Sequence, residues 1–113
     1  MWFYHNMKTI KFREALSKLI LAGKKNITWR LFDDKNLSAE EVVSFLIWET
    51  QKEFSKAKLI NVKETTFGKL TAEDREGHEN FSSNEEMYET YSKYYNRKVD
   101  ENTSVKVIRF ELN

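Results

Sequence analysis

Residues Gly23 to Arg30 read Gly-Lys-Lys-Asn-Ile-Thr-Trp-Arg, and this octet fixes how two kinds of secondary structure must meet. Upstream, Phe12, Ala15, Leu16, Leu19 and Ile20 fall at the i, i+3, i+4, i+7, i+8 spacing of one apolar helical face, which predicts a helix over 12–22. Gly23 fits the left-handed position just past its end. Downstream, Asn26, Thr28 and Arg30 alternate with Ile27, Trp29 and Leu31, the period-two mark of a half-buried strand over 26–31. Thr28 and Arg30 then share one face. Lys25 would point to the opposite face of a regular strand, so it joins them only if it lies in the preceding loop, which Gly23 makes possible. A hydroxyl, a guanidinium and an ammonium grouped in this way suit a polyanion or a polar heterocycle, and are compatible with hydrolytic chemistry.

The rest of the chain has no proline, only three glycines and no repeat or low-complexity run. A short strand is expected over Lys8–Lys11 and a turn at Asp33-Asp34-Lys35-Asn36. Ser38-Ala39-Glu40-Glu41 has the form of a capping box, but the apolar, β-branched run Val42 to Trp48 suits a central strand better than a helix. A turn near Thr50–Glu53 should lead into a strand over 54–64. Its inward parity changes between Phe54 and Ala57, which predicts a β-bulge. Thr71-Ala72-Glu73-Asp74 is suited to opening a short helix. Ser83-Asn84-Glu85-Glu86 is a second capping box, and its helix runs through Met87, Tyr91, Tyr94 and Tyr95. Ser104 to Leu112 alternates as a last strand. The expected class is α+β: a small, mostly antiparallel β-barrel of about five strands with two covering helices. At 113 residues the chain predicts one domain, residues 7–113, behind a six-residue N-terminal extension, residues 1–6, with Met7 as a candidate ancestral start.

A charged fraction of 33% and a mean hydropathy of −0.71 describe a soluble protein, and the longest apolar run, Phe45 to Trp48, falls far short of the ~18 residues of a membrane span. The Met1–Asn6 opening is too short for a signal sequence and lacks a basic leader. The chain has no cysteine, which fits a reducing cytoplasm and excludes disulfides and thiolate metal sites. His5 and His78 have no paired ligand spacing, so no metal is expected. There is no phosphate-cradling glycine loop, and no cofactor is expected. The net charge of +1 conceals an asymmetry: residues 1–35 carry eight Lys/Arg against three Asp/Glu, and the remainder eleven against fifteen. A basic pole of this kind marks phosphate contact or chance segregation.

The helix ending in Gly-Lys-Lys followed by Ile-Thr-Trp-Arg resembles the signature of the ASCH domain, a small module with a PUA-like β-barrel. The segments Trp48-Glu49-Thr50, Glu76-Gly77-His78-Glu79, Tyr94-Tyr95 and Val105-Lys106-Val107-Ile108 extend the resemblance over nearly the whole chain from Met7. It implies recognition of RNA or of a modified nucleoside in a cleft beside the barrel. Some small bacterial members look like N4-acetylcytidine amidohydrolases, and the positions here that match their proposed catalytic group are Lys25, Thr28 and Glu79. Glu79 is a better match than Glu76. Lys24, Trp29, Arg30, Glu76 and His78 are the accompanying ligand-binding candidates. Three departures weaken the step from fold to reaction. Asn26 stands where a threonine is usual, Ala39-Glu40 replaces a Gly-Asp turn, and the connection from Asn96 to Ser104 is longer.

Amide cleavage needs a nucleophile, a base and an oxyanion donor. Thr28 would be the nucleophile and Lys25 its base, provided burial or neighbouring cations lower the lysine pKa. Glu79 would orient the lysine or carry the proton to the leaving amine. Each residue also has a plainer role. Lys24 and Lys25 would complement the negative end of the first helix, Thr28 would be an exposed strand residue, and Arg30 would pair with Asp33 or Asp34. Trp29 and Trp48 would be core or cleft wall, Glu79 would be solvated, and the Tyr88, Tyr91, Tyr95 stripe would pack against the barrel. The leading expectation is a cytoplasmic, monomeric module binding RNA or a modified nucleoside. Deacylation of N4-acetylcytidine is the competing reading, and a protein–protein adaptor the third.

Overall fold

In the computed structural model, residues 7–33 and 35–113 are described; the extension 1–6, His5 within it, and Asp34 lie outside the described residues. The strands are β1 (Thr9–Phe12), β2 (Ile27–Arg30), β3 (Val42–Ile47), β4 (Glu53–Thr66) and β5 (Ser104–Leu112). They form one sheet in the order β1-β3-β4-β5-β2, curled into a half-barrel, with β1 and β2 as its two edges. Among the described residues only the β1–β3 pairing is parallel. The class is α+β, as the alternation of helical and strand periods predicts.

Two bulges bend β4. Phe45 faces Ser55 and Leu46 faces Glu53, so Phe54 is the extra residue, at the start of the segment where the parity change predicts it. A second irregularity leaves Ile60 unpaired between Leu59 and Asn61 opposite β5. Each inserted residue adds local twist, which lets a 14-residue strand curl around the core.

Among the described residues three α-helices accompany the sheet: α1 (Glu14–Leu21), the single turn α2 (Ala72–Arg75) that Thr71-Ala72-Glu73-Asp74 is suited to open, and α3 (Asn84–Tyr95). Helix α1 ends in a Schellman arrangement, with Gly23 at φ 76°, its N–H on the Ile20 carbonyl and the Lys24 N–H on the Leu19 carbonyl. Thr71 and Asp74 close a reciprocal capping box on α2. Ser83 caps α3 by accepting from Glu86 N–H, and the Glu86 carboxylate reaches back to Ser82 N–H. Ser38-Ala39-Glu40-Glu41 forms a turn without a helix, because the chain enters β3 at Val42.

Strand β5 is apolar on both faces, and the two faces feed two cores. Ile108 and Phe110 join Phe12, Ile20, Phe45 and Leu59. Val105 and Val107 join Ile27, Trp29, Phe67, Met87 and Tyr91 beneath α3. Each fully buried side chain of this size contributes about 1.5–3 kcal/mol of transfer free energy, which binds α1 to one face and α3 to the other.

Candidate functional site

The two free edges of the half-barrel face each other across a seam, and Arg30 bridges it. From β2 its guanidinium donates to the Lys11 carbonyl of β1 at 2.8 Å and lies over the Phe12 ring at 4.6 Å. A cleft of about 180 Å³ opens at this seam. Strand β1 supplies Lys11 and Phe12, β2 supplies Thr28, Trp29 and Arg30, and α3 supplies Tyr91, Tyr94 and Tyr95. Lys25, His78 and Glu79 reach it from loops.

Lys25 occupies the loop between Gly23 and β2, the placement that convergence with Thr28 requires. Its side chain is 3% exposed and its ammonium donates to Glu79 Oε1 at 2.5 Å. Burial pushes the Lys25 pKa down, while Glu79 pulls it back up. Burial alone would raise the Glu79 carboxyl, but the Lys25 cation and its hydrogen bond hold it below the usual carboxylate range. Glu79 therefore stays ionised at neutral pH as the counter-ion of Lys25.

A contact between loops sets this geometry. Gly77, at φ 84°, turns the chain from the end of α2 into His78 and Glu79, and a Cβ there would fall 2.1 Å from Asn26 Oδ1. Asn26 thus seats directly on Gly77, and its neighbour Lys25 is brought against Glu79. Asn26 lies in this seam between loops.

His78 locks the arrangement from below. Its ring stacks on Trp29 with centroids 3.7 Å apart and planes 13° apart. Nδ1 lies 2.9 Å from the Glu79 carbonyl, which can only accept, so Nδ1 carries the proton. Nε2 then accepts from the Tyr91 hydroxyl at 3.2 Å. Burial, followed by the Lys25 cation, lowers the His78 pKa to about 4, so the ring is neutral. Burial also raises the Tyr91 phenol well above its ordinary value. Trp29 is anchored in turn by its indole N–H on the Asp74 carbonyl at 3.0 Å.

Thr28 is 4% exposed, not an exposed strand residue, because α3 and the 78–79 loop cover the polar face of β2. Its Oγ accepts from Arg30 Nε at 3.2 Å. Arg30 takes this role rather than pairing with Asp33, whose carboxylate meets Lys106 at 3.3 Å. Lys24 and Glu76 are exposed and do not line the cleft. Trp48 is half-exposed cleft wall. Lys11, Arg13 and Tyr94 also line it, although sequence patterning assigned none of them to a site. For Lys11 and Arg13 the surplus of cations before residue 35 was the only signal, and for Tyr94 its place in the aromatic helix. Among the described residues, no group of three His, Asp or Glu converges as a metal site, and no helix is long and apolar enough to cross a membrane.

A curled mixed five-stranded half-barrel with three helices is the PUA-like α+β arrangement of ASCH domains, and this chain has that fold. A DUF984 protein from Enterococcus faecalis V583 superposes with a TM-score of 0.77 at 12% identity, over 96% of this chain and 82% of that one. An ASCH domain from Lactobacillus crispatus JV V101 gives 0.66 at 12% identity, over 93% and 79%. The hypothetical protein PH0355 gives 0.70 at 26% identity, over 93% and 97%. No protein-family profile and no curated protein sequence matches the chain.

Proposed function

We propose that the seam cleft is a nucleoside-binding site, taking RNA or a modified nucleoside as its ligand. The observation that carries this reading is the composition of the cleft. Aromatic rings form its walls, with Trp48 50% and Tyr94 55% exposed, and donors and acceptors from Lys25, Thr28, Arg30 and Glu79 lie within it. Flat rings accept the face of a base, and the polar groups read its edge. Titration calorimetry with cytidine, N4-acetylcytidine and a short oligoribonucleotide tests the reading, at low and at high salt. Saturable binding is expected, weakening with salt for the RNA. Absence of heat with all three ligands refutes it.

A specific observation favours a second reading, deacylation of N4-acetylcytidine. A cation needed only for ligand attraction gains nothing from burial, whereas taking Lys25 and Glu79 out of water costs several kcal/mol. Perturbed, paired ionisable groups in a cleft are a mark of chemistry. In the proposed sequence Lys25 passes a proton to Glu79 across their 2.5 Å contact and becomes a neutral base. Thr28 Oγ loses its proton to Lys25 and attacks the acetyl carbon. The C–N bond then breaks as Glu79 protonates the departing N4 amine. Water hydrolyses the acetyl-threonine ester, which restores the hydroxyl. Incubating N4-acetylcytidine with the protein, Lys25→Ala and Thr28→Ala, and following cytidine release, tests this scheme. Turnover confined to the unsubstituted protein supports it, and turnover surviving both substitutions removes it.

A further inference from the structure

At the rim of the cleft, the indole of Trp48 holds two cations. Lys11 Nζ lies 5.4 Å and the Arg13 guanidinium carbon 5.5 Å from the ring centroid. The indole is half exposed, at the end of β3, and all three residues line the cleft mouth. Half of the fourteen lysines are neutralised: Lys8, Lys25, Lys56, Lys58, Lys63, Lys93 and Lys106 each meet a carboxylate. Among the described residues, neither Lys11 nor Arg13 does. Glu49, which follows Trp48, does not neutralise them. Its Oε1 accepts from Glu14 N–H at 2.9 Å and so caps α1, whose N-cap residue Arg13 has no side chain able to do so. The Lys11 carbonyl is held by Arg30, which ties this cationic rim to the floor of the cleft.

We infer that Lys11, Arg13 and Trp48 form a phosphate subsite, so that the ligand of the cleft is a phosphorylated nucleoside rather than a free one. The inference rests on the nucleoside reading above and adds its substrate class. Cation–π contact with the indole restricts the two side chains before the ligand arrives, which lowers the ordering cost of grasping an anion. A phosphate ester on the ribose reaches this rim while the base occupies the seam. The phosphate can belong to a mononucleotide, as a monoester, or to a strand, as a diester, since both present anionic phosphoryl oxygens.

The test compares affinities of the full chain for cytidine, cytidine 5′-monophosphate and a cytidine-containing trinucleotide, at low salt. One or both phosphorylated ligands are expected to bind about tenfold more tightly than cytidine, as two cation–phosphate contacts imply. The ratio is expected to collapse toward one in Lys11→Ala/Arg13→Ala, and in the charge-reversed Lys11→Glu. Thermal melting of each variant confirms that it is folded, and if the double variant fails to fold, the single Arg13→Gln replaces it with at least a threefold loss in the ratio expected. A gain confined to the trinucleotide assigns the phosphate to a strand, and a gain shared by the monophosphate assigns it to the nucleotide itself. Equal affinity for cytidine and both phosphorylated ligands overturns the subsite but leaves the nucleoside reading standing. So does a ratio that survives the substitutions. Failure of all three ligands to bind removes the nucleoside reading and the subsite with it.

Discussion

Lys25 and Glu79 stand 54 positions apart in the chain and 2.5 Å apart in the fold, with the lysine almost fully buried and the glutamate 30% exposed. That asymmetry makes the two partners unequal under mutation. Removing Glu79 strands a cation in low dielectric, whereas removing Lys25 leaves a carboxylate that retains access to water. Glu79→Ala is expected to cost about 3–5 kcal/mol of unfolding free energy, Lys25→Met clearly less, and the double variant less than Glu79→Ala alone. Urea denaturation of the three proteins measures this. Equal losses in both single variants contradict the burial argument.

His78 is expected to titrate near pH 4 rather than near 6.5. The groups facing its ring are Trp29, Glu79, Lys25, Arg30, Tyr91 and Phe81. Because the folded pKa is depressed, the unfolded chain binds more protons between pH 4 and 6.5, and stability falls as pH drops through that window. The full loss is about 3 kcal/mol, from a shift of 6.5 to about 4. Imidazole NMR should report a neutral Nδ1–H tautomer at pH 6. A midpoint near 6.5, or a proton on Nε2, contradicts the hydrogen-bond assignment.

Arg30→Lys keeps the charge but loses the planar fork that binds Thr28 Oγ and the Lys11 carbonyl together. A loss of about 1–2 kcal/mol is expected, with weakened ligand binding. An unchanged urea midpoint would show that the guanidinium does not bridge the seam.

Gly77→Ala places a methyl group 2.1 Å from Asn26 Oδ1 on a residue at φ 84°. The left-handed backbone alone costs about 1 kcal/mol for a residue with a Cβ. A larger loss is expected in the native background, and part of it should vanish when Asn26→Ala is added. A double-mutant cycle reads the coupling, and strict additivity rules out the contact.

Much of the fold was legible because it depends on local periodicity. The Gly23 stop, the Thr71 and Ser83 caps and the alternation of β5 are each set within a dozen residues, and the bulge at Phe54 shows in the parity of its own strand. The α1 face was legible only in part: Leu16 and Ile20 turn inward, but Phe12 belongs to β1, Ala15 and Leu19 are exposed, and Ser17 is buried in their place. Lys25 in a loop, Thr28 on the same side as Arg30, and Glu79 before α3 were likewise readable from spacing and from the signature they resemble.

What the chain alone could not declare is how distant edges meet. Thr28 reads as an exposed strand position until α3 and the 78–79 loop cover it, and Lys24 reads as equivalent to Lys25 until the Schellman turn leaves one outside and draws the other in. The rim of Lys11, Arg13 and Trp48 exists only because the parallel pairing of β1 with β3 brings residue 48 beside residue 12. Helix and strand periods are short-range properties of backbone geometry, and so are written in the order of residues. Burial, ion pairing and the shape of a cleft arise from contacts across tens of residues, and packing alone determines which of them are made.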